Sequence, residues 1–240
     1  MKYAIISDIH GNLEALAAVI KDAKEHFVDE FICLGDIVGI GASPVECIEI
    51  IKNLNGTTVC GEFDCILAGK ETRERISKEE METLLWTRKQ LSEKDIAWLK
   101  NLPDQEKIEH FRLVHATLSQ ISVWQRINTP MDASDHFDFQ RESLCFTGHT
   151  HIPKIFQLDP ISEELKLGKF KPNPQVKCVV TVGSVGKPKD NNPDAAYMIY
   201  DSTKNLILPQ RVSYDVRSAQ TKMNKANFDK KLIHNLALGK

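Results

Sequence analysis

The chain reads as an α/β protein in which two sheets pack face to face with helices outside. Three observations carry this. Buried-type strands alternate with amphipathic helices from Tyr3 to Cys60, the pattern of βαβ units with a parallel portion. A second set of short apolar runs, separated by turn residues, extends from Phe111 to Leu208. Acidic and imidazole side chains stand at the ends of several runs, where ligands collect in such folds.

Tyr3-Ala4-Ile5-Ile6-Ser7 is a compact run of strand formers. Leu13, Leu16, Ala17, Ile20, Ala23 and Phe27 then recur at helical spacing, with Asn12 as N-cap. Phe31 to Leu34 is the next strand and runs into Gly35-Asp36; Pro44 opens a second helix with Val45, Ile48 and Ile51 on one face. Thr57 to Cys60 reads as a third strand ending at Gly61. Ser77 to Leu102 is charge-rich and helical, with a break at Ser92. Five further strands are expected at Phe111–His115, Leu144–Thr147, Val176–Thr181, Ala196–Tyr200 and Leu206–Leu208, building the second sheet. Asp215 to Lys240 forms one or two lysine-rich helices. With no repeat, low-complexity segment or clear linker, residues 1–240 are read as a single domain.

Composition removes several classes of function. Apolar residues make up 42% and charged residues 27%, ordinary for a globular protein, and a net charge of −2 gives no pull toward duplex nucleic acid or anionic lipid. No apolar stretch approaches the length of a membrane span. The six cysteines are scattered, several within apolar runs, and are read as reduced, mostly buried thiols in a cytoplasmic protein. Cys60 and Cys65 lack the second pair that a structural zinc site needs.

The chemistry-bearing residues are Asp8 and His10 after the first strand, Asp36 after the second, Glu62 after the third, His115, and the pair His149 and His151. Each has a bland alternative: Asp8 as a helix cap, Gly35-Asp36 as a turn, His10 and His115 as satisfied core histidines. His149 and His151 on a regular strand would face opposite ways. Gly148 before them and Pro153 after them indicate a loop, in which both rings can turn to one site. Together these residues supply enough carboxylate and imidazole donors for two divalent ions.

Four blocks in order, Asp8-x-His10, Gly35-Asp36, His115 and Gly148-His149-x-His151, resemble the calcineurin-like metallophosphoesterases, within them the small bacterial and archaeal phosphodiesterase branch. Val182-Gly183-Ser184-Val185-Gly186 and Ala195-Ala196-Tyr197 add to the likeness, which runs from Met1 to about Tyr200. The resemblance implies a four-layer αββα sandwich of two mixed sheets, with two metals between them. It implies that Asp8, His10 and His151 hold one ion, that Asp36 bridges, and that His115, His149 and Glu62 hold the other. Such mixed donors suit Mn, Fe, Zn or Ni. Asp36, His10 and Asp64 are the catalytic candidates under this resemblance.

The third block departs from the family's usual Gly-Asn-His-Asp: here it is Gly61-Glu62-Phe63-Asp64, and His115 is followed by Ala116 rather than glycine. Glu62 can still bind a cation, but it lowers the positive charge of the centre. Phe63 cannot transfer a proton, and general acid assistance is worth ~10²–10⁴-fold. Asp64, which orients that histidine in relatives, loses its partner. Trp124 and Arg126 are read as substrate contacts, the arginine meeting phosphate and the indole stacking on a base or sugar. Lys187 and Lys189 are read as a solvated turn, with attraction of an anionic substrate as the alternative. The expected function is a slow, two-metal hydrolase of a small phosphorylated substrate, a monoester or diester and possibly a nucleotide, with oligomeric state left open. The rival is a binding or scaffold module that keeps the fold without turnover.

Overall fold

Alternation along the first strand decides the architecture. In β1 (Lys2–Ile6), Tyr3 and Ile5 point into one apolar core while Ala4 and Ile6 point into another. A strand buried on both faces needs cover on both, so β1 lies between a second sheet and a layer of helices. The computed structural model describes residues 1–71, 76–119 and 121–240. In chain order the elements are β1, α1 (Leu13–Glu25), β2 (Glu30–Cys33), α2 (Pro44–Leu54), α3 (Glu62–Leu67), α4 (Lys78–Gln90) and α5 (Glu93–Lys100). Next come β3 (Gln105–Ile108), β4 (Phe111–Val114), α6 (Pro130–Phe137), β5 (Leu144–Thr147), β6 (Pro153–Leu158) and β7 (Ser162–Leu165). The chain closes with β8 (Lys177–Val182), β9 (Ala195–Asp201), β10 (Leu206–Val212), α7 (Val216–Lys225) and α8 (Lys230–Leu236).

One sheet has the order β10-β9-β1-β2 and the other β3-β4-β5-β8-β6-β7, both mixed. Phe111, Leu113, Leu144, Phe146, Val180 and Val182 of the second sheet meet Tyr3, Ile5, Ile32, Met198 and Tyr200 of the first. Phe111 is the hub: it stands edge-on to Tyr3, Phe146 and Tyr200 at centroid distances of 5.5, 5.7 and 5.4 Å. The outer face of the first sheet is covered by α1, α2, α7 and α8, and that of the second by α6 through Ala133 and Phe137. The result is the expected αββα sandwich.

Local chemistry sets the helix starts as the sequence indicates. The Asn12 side chain accepts from the Ala15 amide at 3.2 Å, Pro44 opens α2, and Ser92 makes a capping box with Asp95 that separates α5 from α4. Other expectations need correction. Thr57–Cys60 is no strand: a single bridge, Cys33 to Thr58, forms before the Cys60 amide turns away to the Pro103 carbonyl at 2.8 Å. The runs at 195–201 and 206–212 do not extend the second sheet. β9 instead pairs antiparallel with β1, Tyr200 opposite Tyr3, and so completes the first. Strands β3, β6 and β7 and helices α3 and α6 were not expected; β3 and β7 are short, polar edges without an apolar run to announce them. Nor are all six cysteines free thiols. Cys60 and Cys65 form a disulfide across the start of α3, their Cα atoms 6.2 Å apart, while Cys33, Cys47, Cys145 and Cys178 are free and buried.

Gly35 carries a φ of +92°, and a Cβ there would overlap the backbone of Gly61. Gly35→Ala is therefore expected to destabilise the fold by at least ~2 kcal/mol in urea unfolding. Gly168→Ala, with nothing near its added carbon, should stay within ~0.5 kcal/mol. Equal midpoints for the two variants would refute the close-approach account.

Candidate metal centre

The donors gather at one end of the sandwich, beyond the carboxyl ends of β1, β2, β4 and β5. Asp8, His10, Asp36, His115, His149 and His151 are all buried, none more than 5% exposed. Their ligand atoms form two trios, Asp8 with His10 and His151, and Asp36 with His115 and His149, each set within 4.8 Å. The trios touch. Asp36 Oδ2 lies 3.6 Å from His10 Nε2 and 3.4 Å from His115 Nε2, so this one oxygen stands between them. Asp8 Oδ1 is 3.3 Å from His151 Nε2 and 3.9 Å from both His10 Nε2 and His115 Nε2.

The backbone at these positions is unusual. Asp8, His10, Asp36, His149 and His151 all have left-handed φ values between 48° and 64°. Non-glycine residues rarely adopt them, and the strain persists only where surroundings over-determine it. Here the loops are stitched together: Asp8 N donates to Gly35 O at 3.0 Å, His10 N to Asp36 O at 2.9 Å, and Gly148 N to His115 O at 2.8 Å. His149 N donates to Asp8 Oδ2 at 3.0 Å, and Phe63 N to Asp36 Oδ1 at 2.8 Å. Each carboxylate is thus gripped by one oxygen and leaves the other free for the cluster. Gly148 is required at its position, since a Cβ would overlap Ser7 Oγ and crowd Asp8 Oδ2.

The donor set fits cations. His115 Nδ1 lies 2.6 Å from Leu34 O and His151 Nδ1 2.6 Å from Lys187 O; in each case Nδ1 donates and Nε2 is turned to the cluster. His151 Nε2 is 3.2 Å from His10 Nε2. Asp8 Oδ1 and His115 Nε2 are buried with no hydrogen-bond partner, an arrangement that is costly unless a ligand satisfies it. Burial, joined by nearby positive charge, holds His10 down at about 4, His149 at about 3 and His151 well below the usual imidazole value. Neutral imidazoles are what a metal needs. His115 differs: burial alone would lower it, but Asp36 and Asp8 beside it raise it to about 10.

Around these trios the other expected site residues fall in different places. Glu62, 8% exposed, has Oε2 4.0 Å from His149 Nδ1, next to the second trio but outside it. Burial and the charge of Asp36 push it up to about 7. Phe63 fills the space beside His10, ring to ring at 4.9 Å. Asp64 is fully buried and accepts from the backbone amides of Ile37 (3.0 Å), Gly61 (3.2 Å) and Val38 (3.3 Å). Its carboxylate braces the loop that presents Asp36 instead of facing the ligand atoms. Trp124, with φ of 54°, packs its ring 5.7 Å from His115 and 6.4 Å from His149, its indole N–H buried and unpartnered. Arg126 is exposed on the same side. Sequence reasoning gave no role to Ser184, whose hydroxyl donates to Asp8 O at 2.7 Å; nothing but its place in Gly183-Ser184-Val185-Gly186 marked it.

A two-sheet sandwich with paired carboxylate–imidazole trios at its strand ends defines a metallophosphoesterase-like protein. Comparison with known proteins agrees: residues 1–205 match the calcineurin-like phosphoesterase superfamily domain, and the chain belongs to that family. It is similar to the uncharacterized protein MJ0912 of Methanocaldococcus jannaschii, 36% identical over 245 residues, covering 99% of this chain and 98% of that one. The crystal structure of a metallophosphoesterase from Sphaerobacter thermophilus superposes with a TM-score of 0.89 at 30% identity, covering 100% of this chain and 99% of the other. Protein PH1004 from Pyrococcus horikoshii OT3 shares the fold, with a TM-score of 0.83 at 18% identity over 100% and 98% of the two chains.

If Asp36 spans both trios, Asp36→Ala should weaken binding at both, whereas His149→Ala should lower manganese content from about two ions per chain to about one. Elemental analysis after dialysis checks this, and unchanged content in both variants would remove the assignment. Because His115 holds a proton at pH 7 in the metal-free protein, a cation must displace it, so manganese affinity should rise with pH. Calorimetry in buffers of different ionisation enthalpy should detect between about one and two protons released per chain, from His115 and in part from Glu62.

Proposed function

We propose that the chain is a metal-dependent phosphoric ester hydrolase acting on a small phosphorylated molecule, a monoester or diester and nucleotides among them. The observation that carries the reading is Asp36 Oδ2 standing between two buried trios, the arrangement a two-ion site requires. Asp8, His10 and His151 would hold one ion, His115, His149 and Glu62 the other, with Asp36 shared. The absence of thiolates among these donors favours Mn, Fe, Zn or Ni in an open site over a closed structural zinc. When bound, such ions supply Lewis acidity toward phosphoryl oxygens and acidify a nucleophilic water. The reading is of a cytoplasmic protein. Among the described residues no helix is long and apolar enough to cross a membrane. Duplex nucleic acid is not an expected partner.

The chain's own residues do the positioning. Leu34 O and Lys187 O fix the tautomers of His115 and His151, so both rings present Nε2 inward. Asp64 and the Phe63 amide fix the loop and carboxylate of Asp36. Trp124 walls the second trio and lines a cleft of about 500 Å³ with Leu118 and Ile121, a surface on which the organic part of an ester can rest. Exposed Arg126 offers a guanidinium to a phosphate oxygen. Phe63 has no proton to give, so departure of the alcohol is left without the acid that a histidine would supply.

Aryl phosphates, whose leaving groups need no protonation, should therefore be cleaved well ahead of alkyl phosphates under identical metal conditions. Glu62→Asn with Phe63→His should raise alkyl turnover toward the ~10²–10⁴-fold worth of a general acid. Equal wild-type rates on both ester classes would sink the missing-acid argument. A metal-loaded wild type inert on every ester of a broad panel would favour the scaffold reading.

A further inference from the structure

Two lysines rise from the loop that clasps the first trio, and one of them has no counter-ion among the described residues. Residues Ser184 to Lys189 are fastened to the site by backbone: Gly186 N donates to Asp8 O at 2.9 Å, Lys187 N to Ser184 Oγ at 2.8 Å, and Lys189 N to His151 O at 3.3 Å. His151 in turn donates to Lys187 O at 2.6 Å. Both lysine stems therefore start beside Asp8 and His151 and cannot drift from them.

The side chains contradict the solvated turn expected from sequence. Lys187 is only 7% exposed, its Nζ 3.3 Å from Glu80 Oε1 on α4, and it lines a cavity that His10 also lines. Lys189 is half-buried, and among the described residues no carboxylate pairs with its ammonium. Partly desolvating a charge without a partner is unfavourable. Burial, with the neighbouring charge of Lys187, pulls Lys189 down to about 8.

The charge balance of the site gives these cations a task. Asp8, Asp36 and Glu62 bring three carboxylates to a centre suited to two divalent ions, leaving little net positive charge to hold a dianionic phosphate. Cationic groups from outside the ligand set restore it. We propose that Lys189, backed by Lys187, forms an anion subsite beside Asp8, His10 and His151 that binds the non-bridging oxygens of the substrate's phosphoryl group. This rests on the phosphoester reading above. Glu80 tempers the subsite by neutralising Lys187, so the unpaired Lys189 supplies most of the attraction.

Calorimetry with inorganic phosphate as the probe, on the full chain loaded with manganese, tests this. Lys189→Gln should weaken phosphate binding about tenfold, Lys189→Arg should restore most of it, and Glu80→Gln should tighten it by freeing Lys187, all at unchanged manganese content. On an aryl phosphate, Lys189→Gln should raise KM more than it lowers kcat. Phosphate affinity that is the same in wild type, Lys189→Gln and Glu80→Gln overturns the subsite, as does a wild type that binds no phosphate. Lysine-dependent phosphate binding without hydrolysis of any ester would instead overturn the hydrolase reading and leave the subsite standing.

Discussion

The structure depends on holding several side chains in a backbone conformation they do not favour. Five of the residues in the two trios sit in the left-handed region: a neighbouring loop claims the amide or carboxylate of Asp8, His10, Asp36 and His149, and the carbonyl and ring of His151. Asp8 is the knot. Its amide goes to the Gly35 carbonyl, its own carbonyl receives Gly186 N and Ser184 Oγ, and one carboxylate oxygen receives His149 N. Four chain segments, from 8, 35, 149 and 184–186, thus converge on one residue. Removing any one strand end would loosen the rest, which is why a site made of distant pieces can be rigid before any ligand arrives.

The same logic explains the segment Gly61-Glu62-Phe63-Asp64, the part that departs most from the family pattern. Two of its contributions come from groups that the departure does not touch. The Phe63 amide still holds Asp36 Oδ1, and the Asp64 carboxylate still collects the amides of Ile37, Val38 and Gly61. What changed are the side chains that face the ligands: Glu62 beside His149 and an aromatic ring against His10. The contacts that position the Asp36 carboxylate come from the Phe63 amide and the Asp64 side chain, and do not depend on the side chains that residues 62 and 63 carry. Asp64 buried without those amides would be costly, so its carboxylate serves to brace the loop that carries Asp36.

The six trio residues were legible in the sequence because each follows an apolar run and three of them adjoin a glycine; those glycines mark close approaches such as Gly148 over Ser7. The helix starts were legible from Asn12, Pro44 and Ser92. Sheet membership was not. Nothing in Ala195–Asp201 announces that it will cross back to pair with β1, since an apolar run encodes burial and not partner. The Thr57–Cys60 run failed for a related reason: its composition suits a strand, but the chain leaves the sheet edge after one bridge. Lys187 misled most, because a lysine in Gly-Lys-Pro-Lys has every local mark of a solvated turn, and its ion pair is with Glu80 of α4, a hundred residues away in sequence.

The two C-terminal helices show how far the site's support extends. The family match ends at residue 205, yet Ala219, Met223, Leu232, Ile233 and Leu236 belong to the core that covers β1 and β9. They are connected to the site by more than packing. Asn12 donates to Gly186 O at 2.9 Å and, from the same amide nitrogen, lies 3.2 Å from the Tyr214 hydroxyl, just before α7. Lys222 of α7 pairs with Glu14 at 2.6 Å and reaches Ser43 Oγ at 3.3 Å, the residues that begin or precede α1 and α2. The loops bearing His10 and Lys187 are thus backed by a segment outside the matched family region but within the reach of the relative from Sphaerobacter thermophilus, which aligns with the whole chain. A truncation at the family boundary would expose an apolar sheet face and take Tyr214 from Asn12, the residue that holds Gly186 O, and so would disturb Asp8 without touching it.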